Sequence, residues 1–151
     1  MRNGCKDFRT GDPINMQVYF ADRIDIHHIF PQAWCRKQGI GEKRYNSIIN
    51  KTPLSAKTNQ MISSNAPSLY LERIQKNAGI DKERMDAILT SHLIDAAALR
   101  TDDFDDFFHL RQTALLDGIE QAMGKLIMRE MVTMDFNLLD EQIEHGEDDE
   151  Q

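Results

Sequence analysis

Cysteine is scarce in this 151-residue chain, and the two present, Cys5 and Cys35, form no C-x-x-C pair. That excludes a cysteine-built zinc module and a disulfide scaffold. Long apolar runs are missing too, which excludes a membrane-spanning helix and a membrane partner, and no leader-like segment opens the chain. A soluble protein in a reducing cytoplasm is the expectation. No G-x-x-x-x-G-K-[ST] loop occurs, so no P-loop nucleotide site is written here, and there is no internal repeat. What is present suffices for one self-supporting domain, since a chain of this length buries roughly two-thirds of its unfolded surface.

The net charge of −7 argues, taken alone, against a polyanionic partner. The average hides a division. Residues 1–79 carry 12 Lys/Arg against 6 Asp/Glu, a balance of +6, whereas residues 80–151 carry 6 against 19, a balance of −13. Any phosphate-binding surface is therefore expected in the first half, where Arg36, Lys37, Lys43, Arg44, Lys51 and Lys57 cluster. A cluster of this kind is as often only a solvated face.

Residues 1–13 have turn chemistry (Asn3-Gly4, Gly11-Asp12-Pro13) and no apolar period, so they read as a lead-in. Met16 to Phe20 and Ile24 to Ile29 read as extended segments. In the second, Ile24, Ile26 and His28 share one face and Asp25 and His27 the other. A short helix is expected over Gln32 to Gln38, and a second strand with a polar corner over Tyr45 to Leu54. Ser55 then caps a helix through Lys57, Asn59 and Ile62, and Pro67 opens another ending at Gly79. Asp81 begins a helix through Ile94, and Asp102 begins a long one to about Met131, with Phe104, Phe107, Phe108, Leu115, Ile119, Met123 and Ile127 as its apolar stripe. From Asp140 seven of twelve residues are acidic, so residues 132–151 are expected to form a flexible tail.

Asp25-Ile26-His27-His28-Ile29-Phe30-Pro31 is the most informative stretch, because adjacent imidazoles on a strand face opposite ways. One can hold a cation while the other activates water. Alone, the pair is as well explained by one core histidine beside a solvated one. Asn50 in the loop-prone Ile49-Asn50-Lys51 corner and Asn59 on the following helix complete a histidine, asparagine, asparagine order over strand, loop and helix.

This order resembles the HNH (ββα-metal) nuclease superfamily. More closely, Asp25 to Pro31, Asn46-Ser47-Ile48-Ile49-Asn50-Lys51-Thr52-Pro53-Leu54-Ser55 and Thr58-Asn59 resemble the C-terminal nuclease domain of GmrSD-type modification-dependent restriction enzymes. Ser91 to Ile94 and Ala122 to Lys125 resemble that group's helical extension. The resemblance implies a mostly helical α+β fold, with a hairpin-helix core over residues 24–65, a helical extension over 67–131, and 1–131 forming one nuclease domain. It implies His28 as general base, Asn50 as the brace that orients it, and His27 and Asn59 as metal ligands. An amide oxygen at Asn59, where many relatives have histidine, points to a hard cation, Mg²⁺ or else Mn²⁺. The implied partners are DNA, met by Lys43, Arg44, Lys51 and Lys57, and an N-terminal nucleotide-hydrolysing, DNA-sensing domain or subunit. The competing expectation is a catalytically silent HNH-like module that binds DNA or another subunit. Asp25 is a weaker ligand candidate, Asn65 reads as a turn residue, His92 and His109 as packing or surface residues, and Cys35 as a small core residue near Trp34.

Overall fold

The structure, a computed structural model, describes residues 4–14 and 24–123. Among these, β1 (Asp25–His28) and β2 (Lys51–Leu54) form an antiparallel pair with Asp25 opposite Leu54, His27 opposite Thr52 and His28 opposite Lys51. Directly opposed residues share a face, so Asp25, His27, Thr52 and Leu54 lie on one side and Ile26, His28, Lys51 and Pro53 on the other. Thr52 and Leu54 are buried, which sets the first face over the core.

Between the strands run α1 (Gln32–Lys37), α2 (Glu42–Tyr45) and a 3₁₀ turn over Ile48–Asn50. The strand expected from Tyr45 is thus confined to Lys51–Leu54. Ser47 is the reason: its side chain accepts a hydrogen bond from Ile49 N at 3.2 Å, which turns the β-branched Ile48-Ile49 pair into a tight helical turn.

After β2, α3 (Ala56–Ile62) starts at Ser55, whose hydroxyl accepts from Thr58 N at 3.2 Å. Pro67 occupies the first turn of α4 (Pro67–Ala78), which Gly79 closes with φ 65°, a left-handed turn that favours glycine. Asp81 caps α5 (Lys82–Ser91), and Asp95 caps α6 (Ala96–Arg100), a short helix that sequence periodicity does not reveal. The last described element, α7 (Phe104–Met123), is capped by Asp103, which accepts from Asp106 N at 3.0 Å. Asp102, the expected start, instead reaches back across the chain. It accepts from Ser68 N at 2.8 Å and Ser68 Oγ at 2.6 Å and so closes the first turn of α4. The expected strand over Met16 to Phe20, the continuation to Met131 and the acidic tail lie outside the described residues.

The lead-in reading of the first residues is corrected. Lys6 pairs with Pro13 around a turn that drives Phe8 and Asp7 into the interior. Asp7 Oδ1 accepts from the backbone N of Arg9 and Thr10 at 3.0 and 3.1 Å, and its Oδ2 accepts from Thr58 Oγ1 at 3.0 Å. Burial alone would raise the pKa of this carboxyl. The hydrogen bonds from Ser55, Thr10, Thr58 and Arg9 outweigh it and hold the group below the ordinary carboxylate range.

Phe30 centres the aromatic core, with ring centroids 5.1 Å from Trp34, 5.2 Å from Phe104 and 4.9 Å from Phe107. Each such contact adds about 0.5–1.5 kcal/mol beyond area burial. The α7 stripe differs from expectation: the buried residues are Phe104, Phe107, Arg111 and Leu116, while Leu115 is half-buried. The fold is mixed α+β and mostly helical, and no helix among the described residues is long and apolar enough to cross a membrane.

Candidate active site

His28 ends β1, half-buried, on the face away from the core. Its Nε2 lies 2.9 Å from Asn46 Oδ1 and 3.3 Å from Gln32 Nε2; the shorter contact, to an oxygen that can only accept, assigns the proton to Nε2 and the free lone pair to Nδ1. Gln32 Nε2 donates to the same oxygen at 3.1 Å, so the acceptor is itself held. Burial lowers the pKa of His28, and the charges of Lys51 and His27 act in the same direction against the opposing Asn46 hydrogen bond. The ring is therefore neutral at neutral pH, as a proton acceptor must be.

Asn50 is fully buried and every polar atom of its side chain is engaged. Oδ1 accepts from Phe30 N at 2.8 Å, and Nδ2 donates to Phe30 O at 3.0 Å and Tyr45 O at 2.9 Å. Its backbone O also accepts from Ile29 N at 2.8 Å. It locks the turn after β1 to the loop that leads into β2, but it makes no hydrogen bond to His28. The ring's orientation comes from Asn46 and Gln32, which sequence reasoning left without a role. Their signal was there: Gln32 opens the helix that follows His28 by four residues, and Asn46 opens the motif segment.

Arg111 was missed as well. From α7 its guanidinium donates to the carbonyls of Ile48, Ile49 and His92, pinning the 3₁₀ turn that carries Asn50. Burial lowers its pKa to about 10, which still leaves it charged at neutral pH. His92 is a buried staple: Thr52 Oγ1 donates to Nδ1 at 2.6 Å, and Nε2–H donates to Lys6 O at 2.6 Å. His109 is exposed. Cys35 is buried, and burial pushes its thiol up to about 11, so it holds no thiolate at neutral pH.

His27 lies on the opposite face from His28, and Asn59 sits half-buried on α3. Among the described residues neither side chain has a hydrogen-bond partner, and no hydrogen bond joins the two. No group of three or more His, Cys, Asp or Glu able to hold a metal occurs among the described residues. His27 and Asn59 are donor types that an open, weakly held hard cation takes, but among the described residues no contact brings the two together. Asp25, on the His27 face, is exposed and accepts from Ile26 N at 2.8 Å.

The basic residues separate. Lys51 is the cross-strand partner of His28. Lys43 is exposed on α2. Arg44 is committed elsewhere: it pairs with Asp105 at 2.6 Å and stacks on Phe104 and Phe108, each centroid 5.2 Å away. Lys57 lies on the far side of α3, beside Arg9 and Arg73.

No family model matches the chain, and no solved structure matches it. An uncharacterized protein of Methanocaldococcus jannaschii is 32% identical over 144 residues, an alignment spanning 82% of this chain and 24% of that protein. The chain is therefore similar to a minor part of a much longer relative.

Proposed function

We propose that this chain is a metal-dependent HNH endonuclease that hydrolyses DNA phosphodiester bonds. The observation that carries the reading is His28: a neutral imidazole, fixed through Nε2 on Asn46 with Nδ1 open, at the end of a strand that a buried asparagine ties to its hairpin partner. The hairpin leads directly into α3, which gives the strand, strand, helix order that supports an HNH core.

In the proposed reaction His28 Nδ1 takes a proton from water. The water oxygen bonds to phosphorus as the P–O3′ bond breaks, and the leaving oxygen takes a proton from solvent water to become a 3′ hydroxyl beside a 5′ phosphate. Asn46 and Gln32 keep the ring aimed, and Asn50 keeps the turn that carries it from shifting. Lys51 offers a positive charge on the same face. A divalent cation of the Mg²⁺ or Mn²⁺ class, held by His27 and Asn59, would neutralise charge on the scissile phosphate and the leaving oxygen.

The setting we infer is cytoplasmic, as the nuclease part of a modification-dependent restriction system. Nucleotide hydrolysis and DNA sensing would come from another domain or subunit. The M. jannaschii relative, in which the matching region is 24% of the protein, is compatible with such a layout. Nicking of supercoiled plasmid by the purified chain with Mg²⁺ or Mn²⁺ tests the reading, and His28→Ala should slow it by about 10²- to 10⁴-fold. Absence of cleavage with every divalent ion would favour the silent binding module, and an undiminished rate in His28→Ala would remove His28 from the chemistry.

A further inference from the structure

Two clefts adjoin on the side of the molecule where the N-terminal turn meets α3 and α4. One, of about 540 Å³, is lined by Arg9, Lys57, Gln60, Met61, Arg73 and Asn77. The other, of about 490 Å³, shares Arg9 and Asn77 and continues past Gly79 to Asp81 and Arg84. Together they place four cations along one open groove, with Asp81 as its carboxylate.

Among the described residues these cations make no ion pair. The ion pairs among the described residues engage Arg44 and Arg100, and none involves Arg9, Lys57, Arg73 or Arg84. Arg73 donates to Met61 O at 3.4 Å, and Arg84 packs beside Gly11. Arg9 is the telling residue: its Nε is buried and has no hydrogen-bond partner among the described residues. Arg9 as a whole is only half-buried and lines both clefts, so it is the cation the two share. Its backbone is held, since Arg9 N donates to Asp7 Oδ1 at 3.0 Å, so the guanidinium is presented from a fixed turn.

We infer that this groove binds the sugar-phosphate backbone of DNA, away from the scissile phosphate. Guanidinium groups match phosphate oxygens bidentately, and the amides of Gln60 and Asn77 suit phosphate and sugar oxygens without reading sequence. The groove is separate from the catalytic face. Lys57 and Asn59 are two residues apart on α3 and so point about 200° apart around the helix axis. A strand in the groove thus passes behind the helix that carries the second ligand. The identity of the polymer rests on the nuclease reading; the groove and its charge do not.

The test is binding of a 30-base-pair duplex to the full chain in EDTA, followed by fluorescence anisotropy from 50 to 300 mM KCl. Wild type is compared with Arg9→Gln/Arg73→Gln and, should that pair melt early, with the exposed single variant Lys57→Gln. Each phosphate contact adds about 0.9 to the slope of log K against log salt. The double variant should therefore flatten the slope by about 1.8, and Lys57→Gln by about 0.9. An unchanged slope in folded variants overturns the groove as a DNA path. So does competition by millimolar inorganic phosphate that leaves the DNA slope untouched, which would make it a small-anion site. Plasmid nicking separates the two readings: cutting with an unchanged slope sinks only the groove, and a flattened slope without cutting supports the groove while sinking the nuclease.

Discussion

The two faces of β1 are built on opposite terms. On the His28 side the ring is held at Nε2 by Asn46, whose oxygen Gln32 also holds, and the three side-chain hydrogen bonds of Asn50 fix the turn behind it. On the other side His27, and across on α3 Asn59, have no hydrogen-bond partner among the described residues. The contrast suits a site in which the group that moves a proton must be aimed beforehand, while the groups that hold a cation must remain able to take one.

The comparison breaks most severely at Asn50. Asn50→Ala strands Phe30 N, Phe30 O and Tyr45 O in the interior, and unpaired buried groups cost about 1–3 kcal/mol each. A stability loss of at least about 3 kcal/mol in urea unfolding is expected, together with loss of nicking. A loss under about 1 kcal/mol, within the range of an ordinary surface change, would mean the loop is held by something else.

Acid should loosen the His27 face through its support. His92 is held neutral, its pKa lowered to about 4 chiefly by burial, while an unfolded histidine titrates near 6.5. The unfolded chain therefore binds this proton first. Stability from His92 is complete above about pH 6.5 and falls through the interval down to about 4, by on the order of 3 kcal/mol in total. The lowered carboxyl of Asp7 acts only below that window. Urea midpoints from pH 7.5 to 4 measure the slope, which His92→Gln should flatten.

Asn59→Ala sharpens the contrast from the open side. It should leave stability within about 0.5 kcal/mol, yet slow Mg²⁺-supported nicking by at least about 10-fold. Equal losses of stability and rate would make Asn59 a packing residue. The smallest effect is expected at Asn46, where Asn46→Ala frees the ring and should cost about 10-fold in rate. Asn46→Asp, which keeps the acceptor, should recover most of that at pH 8.

Local chemistry was legible where one residue decides it. Ser55, Pro67 and Gly79 mark helix ends by their own side chains or backbone freedom, and the structure places helix ends at each. The alternation that separates His27 from His28 likewise needs only the strand period. What escaped depends on residues distant in sequence. Arg111 lies beyond α6 from the carbonyls it pins, Asp102 serves α4 rather than the helix it precedes, and Asp7 meets Thr58 across the whole hairpin. The charge division pointed to the basic half, yet only tertiary packing sends Arg44 to Asp105 and collects Arg9, Lys57 and Arg73 in one groove.

The buried carboxylate of Asp7 bears on how portable the hairpin-helix unit is. Thr58 and the Ser55 amide on the entry to α3 depend on an oxygen supplied from far upstream. Transplanting residues 24–65 onto another scaffold would carry the histidines and asparagines along but leave behind the anchor of the helix that presents Asn59. An engineer wishing to borrow the chemistry would have to take the opening turn with it, or find a replacement acceptor in the new host.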